Sequence, residues 1–175
     1  FAEPHYNLAS VYLDLGQLDK AEAEYKKALT LKSDYYTAEL GMGSVKNMKG
    51  QYDFAIKHYL NSIALMRQAT GKSDYALARL NLGEIYGKTQ RFDQAIVELS
   101  RAIKADPSLI EAHFNLGTAY MIIGLNGKAE KSFKACLKLN PNYEPALFNL
   151  AKVYQNKKKF KKSNEIFKKF IKIKG

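Results

Sequence analysis

Apolar and small residues recur along this chain at a fixed spacing. Leu8-Ala9 is followed by Tyr12, and the same order returns as Leu82-Gly83 with Tyr86, Leu116-Gly117 with Tyr120 and Leu150-Ala151 with Tyr154. A weaker copy, Met42-Gly43 with Lys46, fills the gap after the first. The steps between the leading apolar residues are 34, 40, 34 and 34 positions. A period of this length predicts stacked repeats rather than one closed core. Within each period two amphipathic helical patterns alternate. Residues 4–15 carry Leu8, Val11, Tyr12 and Leu15 at helical spacing, and residues 18–31 carry Ala21, Tyr25, Ala28 and Leu31 on one face. Gly16-Gln17 separates them, and Ser33-Asp34 resets the chain with a helix cap expected there. Further turns are predicted near Gly50-Gln51, Gln90-Arg91, residues 124–127 and residues 157–159. Pro107 and Pro141 stand just beyond second helices, while Pro4 and Pro145 stand in first turns, where a missing N–H costs nothing. No segment reads as a strand, so the expected class is all-α.

Two positions in the period are always small. Ala9, Gly43, Gly83, Gly117 and Ala151 share one on the first helices, and Ala21, Ala55, Ala95, Ala129 and Ser163 share the other on the second. Tyr25, Tyr59, Leu99, Phe133 and Phe167 supply bulk beside them. A mid-helix glycine costs about 1 kcal/mol against alanine. Glycine at the same position in three repeats therefore predicts a sterically tight helix crossing.

These residues carry a resemblance. Leu116, Gly117, Tyr120, Ala129, Phe133 and Pro141 in residues 110–143 resemble the tetratricopeptide motif: an apolar lead, Leu-Gly/Ala, Tyr, then Ala, an aromatic, Ala and Pro. The resemblance covers residues 2–175 as five repeats, 2–35, 36–75, 76–109, 110–143 and 144–175. It implies one right-handed superhelical array over residues 1–175, an α-solenoid of helix-turn-helix units. The second repeat departs from the motif. Lys46 replaces Tyr, Gly41 replaces Asn, and the repeat is six residues longer through residues 66–75. It resembles the forty-residue variant of the family, with a second helix running toward Ala69 before Thr70-Gly71 breaks it. The fifth repeat places Phe170 where the others have Ala28, Ser62, Ala102 and Cys136. Such bulk is best tolerated where no helix stacks behind, so this repeat is expected to end the array.

Composition narrows the class. Apolar residues make up 46% of the 175, which excludes disorder. No apolar run approaches the roughly 18 residues of a membrane span. The chain opens at Phe1 already inside the repeat pattern, so a fragment or processed product is expected. The single cysteine, Cys136, fits a reducing compartment and tilts the expectation toward a soluble, cytoplasmic chain. His5, His58 and His113 have no metal-ligand spacing with one another or with Cys136, so they are expected as ordinary helix residues and no metal or cofactor is expected. The net charge of +11 is uneven. Residues 1–127 balance 14 basic against 14 acidic side chains, whereas residues 128–175 carry 14 Lys and only three Glu.

The resemblance implies that first helices line a concave groove that binds peptides. Asn7, Asn81, Asn115 and Asn149 each precede the apolar lead of a repeat and are expected in a row along that inner wall. An amide carries both donors and an acceptor, so it can pair with an extended peptide backbone without reading its side chains. Tyr6, Leu40, Leu80, Phe114 and Phe148 are expected beside them as apolar contacts, with Ser10, Ser44, Glu84, Thr118 and Lys152 further along. The family's carboxylate clamp needs basic residues on three successive first helices. The corresponding places hold Tyr6, Ser10, Gly41, Leu77 and Asn81, or Leu80, Glu84, Asn115, Pro145 and Asn149, so no clamp is expected.

The expected function is thus a protein–protein interaction module that takes a partner's peptide segment. One alternative is peripheral docking through Lys157, Lys158, Lys159, Lys161, Lys162, Lys168, Lys169, Lys172 and Lys174 onto anionic lipid, an acidic protein or another polyanion. Against that stands the reading of a solvated helix face. Nucleic acid is disfavoured because the basic segment has no Arg. Another alternative is the targeting arm of a larger enzyme. The chain itself is not expected to be an enzyme. Gly71-Lys72-Ser73 imitates the tail of a phosphate-binding loop, but Met66 stands where its first glycine belongs. Gly41-Met42-Gly43 lies inside a predicted helix and follows no strand, which rules out a dinucleotide loop.

Overall fold

A computed structural model describes the backbone of residues 1–70 and 75–174. Among the described residues the regular elements are helices: α1 (Ala2–Asp14), α2 (Leu18–Leu31), α3 (Tyr36–Met48), α4 (Tyr52–Thr70), α5 (Ala76–Lys88), α6 (Phe92–Ala105), α7 (Ile110–Ile122), α8 (Asn126–Leu139), α9 (Glu144–Asn156) and α10 (Phe160–Lys174). They group into two compact units, Phe1–Ile85 and Tyr86–Gly175, divided inside α5. In the first unit α1 packs on α2 and α3 on α4, with α2 and α1 both touching α3. In the second, α7 packs on α8 and α9 on α10, with α8 and α7 both touching α9. This is the all-α, hairpin-on-hairpin architecture expected of an α-solenoid. The long second helix of repeat two is present as α4, which ends at Thr70. The phosphate-loop imitation at Gly71-Lys72-Ser73 lies outside the described residues.

The helix-hairpin turns repeat one design. The N–H of Gln17, Gln51, Arg91, Leu125 and Lys159 reaches back to the carbonyl of Tyr12, Lys46, Tyr86, Tyr120 and Tyr154, respectively, at 2.7–2.9 Å. The residue before each donor has positive φ: Gly16 (70°), Gly50 (71°), Gln90 (60°), Gly124 (78°) and Lys158 (56°). This is the left-handed residue of a Schellman stop, and glycine adopts it without a Cβ penalty. Gln90 and Lys158 bear that penalty. Gln90→Gly and Lys158→Gly are each expected to stabilise the protein by about 0.5–1 kcal/mol, a relieved left-handed strain partly offset by backbone entropy. Urea unfolding followed by circular dichroism checks this, and unchanged or lowered midpoints would contradict it.

Between repeats the connections differ. Asp106 and Asn140 each accept the N–H two residues on, from Ser108 at 2.9 Å and Asn142 at 3.0 Å, across Pro107 and Pro141. Before α3, the expected cap at Ser33-Asp34 is not formed. Tyr35 is the N-cap and makes no side-chain cap bond. The first helix also begins earlier than its pattern suggested, at Ala2, because Pro4 is tolerated within the first turn.

The small positions are where the helices meet. Ala9, Gly43, Gly83, Gly117 and Ala151 are all buried, as are Ala21, Ala55, Ala95, Ala129 and Ser163. A Cβ on Gly43 would lie 2.5 Å from the ring of Tyr59, and one on Gly117 would lie 2.7 Å from that of Phe133. Both distances are below any normal contact, so the glycines give these rings their space. In the first repeat a methyl already occupies the small site, at Ala9. There the ring of Tyr25 lies against the next first helix instead, with its hydroxyl 2.5 Å from where a Cβ on Gly41 would stand. Gly41 therefore lacks the asparagine of the other repeats for a steric reason. Hydroxyls at the tight crossings are paired: Ser62 donates to the carbonyl of Tyr36 at 2.7 Å and Ser163 to that of Ala151 at 2.9 Å.

One face departs from expectation. Leu8 and Val11 are 41% and 53% exposed, whereas their equivalents Leu82, Ile85, Leu116, Leu150 and Val153 are buried. Among the described residues no helix packs on that side of α1.

Candidate functional site

In the first unit the predicted contact residues are partly occupied by their own neighbours. Tyr6 is half-buried, its ring centroid 5.1 Å from Tyr35 and 6.0 Å from Tyr25. Asn7 is exposed and has no hydrogen-bond partner among the described residues. Asn81 is half-buried. Burial pushes the phenol of Tyr59 above its ordinary value, while its hydrogen bond to Ser44 pulls the other way. Leu80 is only 9% exposed, so it is buried rather than offering the open contact expected of it. Leu40 is half-buried. Ser10 and Ser44 sit beside the two buried phenols, 3.1 Å from Tyr25 Oη and 3.4 Å from Tyr59 Oη.

The second unit is more open. Asn115 on α7 and Asn149 on α9 are partly exposed, and neither has a hydrogen-bond partner among the described residues. Beside Asn115, the half-buried Phe114 packs on Phe133 at 6.0 Å and on Tyr143 at 5.4 Å. Beside Asn149, Phe148 is 38% exposed and leans on Phe167 at 6.0 Å and Phe170 at 5.7 Å. The ammonium of Lys152, one turn further along α9, lies 4.5 Å from the centre of the Phe148 ring. α7 and α9 touch each other, so two unpaired amides and two partly open aromatics share adjoining helices. The sequence pattern placed Phe114 and Phe148 here but gave no sign of Tyr143 beside the first or Phe170 beside the second. One comes from the loop before α9 and the other from the far end of α10.

The lysine cluster is not uniform. Lys158, Lys159, Lys161, Lys162, Lys168, Lys169 and Lys172 are exposed, and the side chain of Lys174 lies outside the described residues. Lys157 is half-buried and committed to Glu130 on α8, which also takes Lys134 at 2.7 Å and the Tyr154 hydroxyl at 3.2 Å. The first unit repeats this device. Glu22 on α2 takes Lys46 on α3 and Lys49 just past its end, both at 2.6 Å. Lys46 thus takes the place that Tyr154 has at Glu130, as a donor to the equivalent glutamate. Matching Glu22 and Glu130, and Lys49 and Lys157, across aligned repeats would have revealed the pairing in the sequence.

Hydrogen bonds from Lys134 and Lys157 draw the Glu130 carboxyl down from an ordinary 4.5 to about 2. Its folded value is the lower one, so its stabilisation is complete at neutral pH and is lost as pH falls from about 4.5 toward 2. Glu130→Gln is expected to cost about 1–2 kcal/mol at pH 7, with the gap from the wild type closing below pH 4. Urea midpoints across pH 2–7 read this directly, and a gap independent of pH would contradict it.

The histidines serve within hairpins. His5 meets Glu24 and His58 meets Glu39, each at 2.6 Å, with the partners exchanged between first and second helix. His113 lies 3.0 Å from the Pro107 carbonyl. Among the described residues no group of three His, Cys, Asp or Glu side chains is arranged to hold a metal. Cys136 is buried, and burial lifts its thiol to about 11, so it is inert at neutral pH. Among the described residues no helix is long and apolar enough to cross a membrane.

Comparison with known proteins agrees with this architecture. Family models described as tetratricopeptide repeat match residues 34–108 and, separately, residues 2–35, 110–143 and 144–175. An uncharacterised protein, ycf37, of Pyropia yezoensis is 34% identical over 89 residues, covering 46% of this chain and 50% of that protein. The human Superkiller complex protein 3 is 29% identical over 168 residues, which is 95% of this chain and 10% of that protein. The chain therefore spans half the length of one curated relative and a tenth of the other. Among solved structures, YrrB, described as a TPR protein with an unusual peptide-binding site, is 27% identical. It superposes with a TM-score of 0.81 over 99% of this chain and 86% of that one. MamA superposes at 0.85 with 22% identity, over 98% of this chain and 91% of that one, and shows the shared fold. Taken with the paired helices and the buried small-residue crossings, the matches place the chain in the tetratricopeptide repeat family.

Proposed function

We propose that this protein binds an extended peptide segment of a partner protein on the inner faces of its first helices. The family's fold is that of a protein-interaction scaffold, and YrrB carries the description of a peptide-binding member. The observation that carries the reading is the state of Asn115 and Asn149. Two amides on adjoining helices reach solvent without a protein partner, flanked by Phe114 and Phe148. An extended backbone presents N–H and C=O groups that such amides satisfy, and the aromatics supply apolar contact. Asn7 is equally unpaired, and Asn81 shares the partial burial of Asn115 and Asn149. No catalytic role, cofactor or nucleic-acid ligand is part of this reading.

The seven exposed lysines of residues 158–172 favour a second reading, docking to a polyanion. Salt separates the two. Amide and aromatic contacts persist at about 0.5 M salt, whereas polyanion docking is lost there. Co-precipitation of the partner from cells expressing wild-type protein, repeated at both salt levels and with Asn115→Ala combined with Asn149→Ala, tests this. Retention in salt with loss in the double variant supports the peptide site. The opposite pattern supports polyanion docking.

A further inference from the structure

The turn between α7 and α8 is apolar where the other hairpin turns are polar. The equivalents of Leu125 are Gln17, Gln51, Arg91 and Lys159, and those of Ile122 include Asp14, Lys88 and Asn156. Ile122, Ile123 and Leu125 are 55%, 38% and 42% exposed, although α9 packs on both helices of this hairpin. Leu125 is also the N-cap of α8, where it makes no side-chain cap bond. Neither burial nor capping accounts for three aliphatic residues here.

The adjoining turn, between α9 and α10, is cationic. Lys158, Lys159, Lys161 and Lys162 are exposed and have no acidic partner among the described residues. The two turns meet: the amide of Asn156 donates to that of Asn126 at 3.3 Å, and Lys157 is paired with Glu130. The other acidic residue of positions 121–162 is Glu144, at the opposite end of α9 and about 18 Å away by helical rise. This edge stays open where a further repeat follows. Asp19 and Lys20, the equivalents of Lys161 and Lys162, are exposed with α3 packed on α2, and so are Gly127 and Lys128 with α9 packed on α8.

We infer that this edge docks on the surface of an anionic bilayer, the aliphatic turn entering the lipid interface and the lysine turn meeting the headgroups. The inference goes beyond the peptide site, and it names anionic lipid as the polyanion of the second reading. Aliphatic side chains gain nothing from a soluble polyanion, whereas the acyl boundary removes them from water. Lysine suits the headgroup level, because its long apolar stem lies along the interface while the ammonium stays among the phosphates.

Flotation of the intact chain with phosphatidylcholine vesicles, alone or with about 30% phosphatidylserine, tests this at about 0.1 M salt. The anionic vesicles should carry the chain and the neutral ones should not. Ile122→Asn with Ile123→Thr and Leu125→Gln introduces the residues that other repeats hold there, as Asn156, Thr89 and Gln17, and keeps the net charge. This triple variant should bind anionic vesicles about tenfold more weakly while circular dichroism shows it folded. Lys158→Gly with Lys159→Gln, Lys161→Asp and Lys162→Gln, matching Gly16, Gln17, Asp19 and Gln94, should abolish flotation. Asn115→Ala with Asn149→Ala should float like the wild type, so this test fails or succeeds apart from the peptide site. No flotation of the wild type, or flotation undiminished in the triple variant, overturns the inference. Capture by soluble polyglutamate without flotation also overturns it and assigns the lysines to an acidic protein.

Discussion

Gly41→Asn, which would give the second repeat the amide found in the others, is expected to destabilise the protein by about 2–3 kcal/mol, the cost of overpacking a filled crossing. The change looks favourable locally, since asparagine has a better helix propensity than glycine. The obstacle is Tyr25. Its ring is buried, its hydroxyl meets Ser10 at 3.1 Å, and the hydroxyl lies 2.5 Å from where the new Cβ must go. The ring cannot retreat toward its own first helix, because Ala9 fills the small site that Gly43 and Gly117 leave open for Tyr59 and Phe133. Tyr25→Leu should restore most of the loss, since Leu99 already fills the equivalent position ahead of Asn115. Urea unfolding of the two single variants and the double variant forms the cycle. A neutral Gly41→Asn, or no recovery in the double, would contradict this account of the missing amide.

The second large effect is on binding. Asn115→Ala with Asn149→Ala is expected to weaken the partner by about 1–3 kcal/mol, from hydrogen bonds worth roughly 0.5–1.5 kcal/mol each. Both side chains reach solvent and lack protein partners, so the loss should appear without a fall in stability. Isothermal titration with a partner peptide, paired with thermal melts, reads both quantities, and a fall in stability without a loss of affinity would contradict the binding role.

Much of this was readable in the sequence because repeats report their own packing. The glycines at positions 43 and 117 pointed to tight crossings, and the rings that need them are Tyr59 and Phe133. The turns at Gly16, Gly50 and Gly124 follow from the need for positive φ. What remained hidden depends on neighbours far along the chain. Nothing local shows that Tyr25 leans toward Gly41, or that Lys46 donates to Glu22 as Tyr154 does to Glu130. Helical spacing finds partners three or four residues apart, but the Glu130–Lys157 pair spans two helices. Leu80 shared its register with Phe114 and Phe148 yet is buried. Phe170 was legible as an anomaly, but its contact with Phe148 was not.

The central claim is that partner peptide lies along the first helices. Photo-crosslinking tests it most directly, with p-benzoylphenylalanine placed singly at Phe148, on the proposed face, and at Lys131 on the exposed side of α8. In cells expressing the intact chain, irradiation should join one partner peptide to position 148 and none to position 131, with the adduct lost in the double asparagine variant. Adducts forming at position 131 alone, or at position 148 regardless of the asparagines, would contradict it.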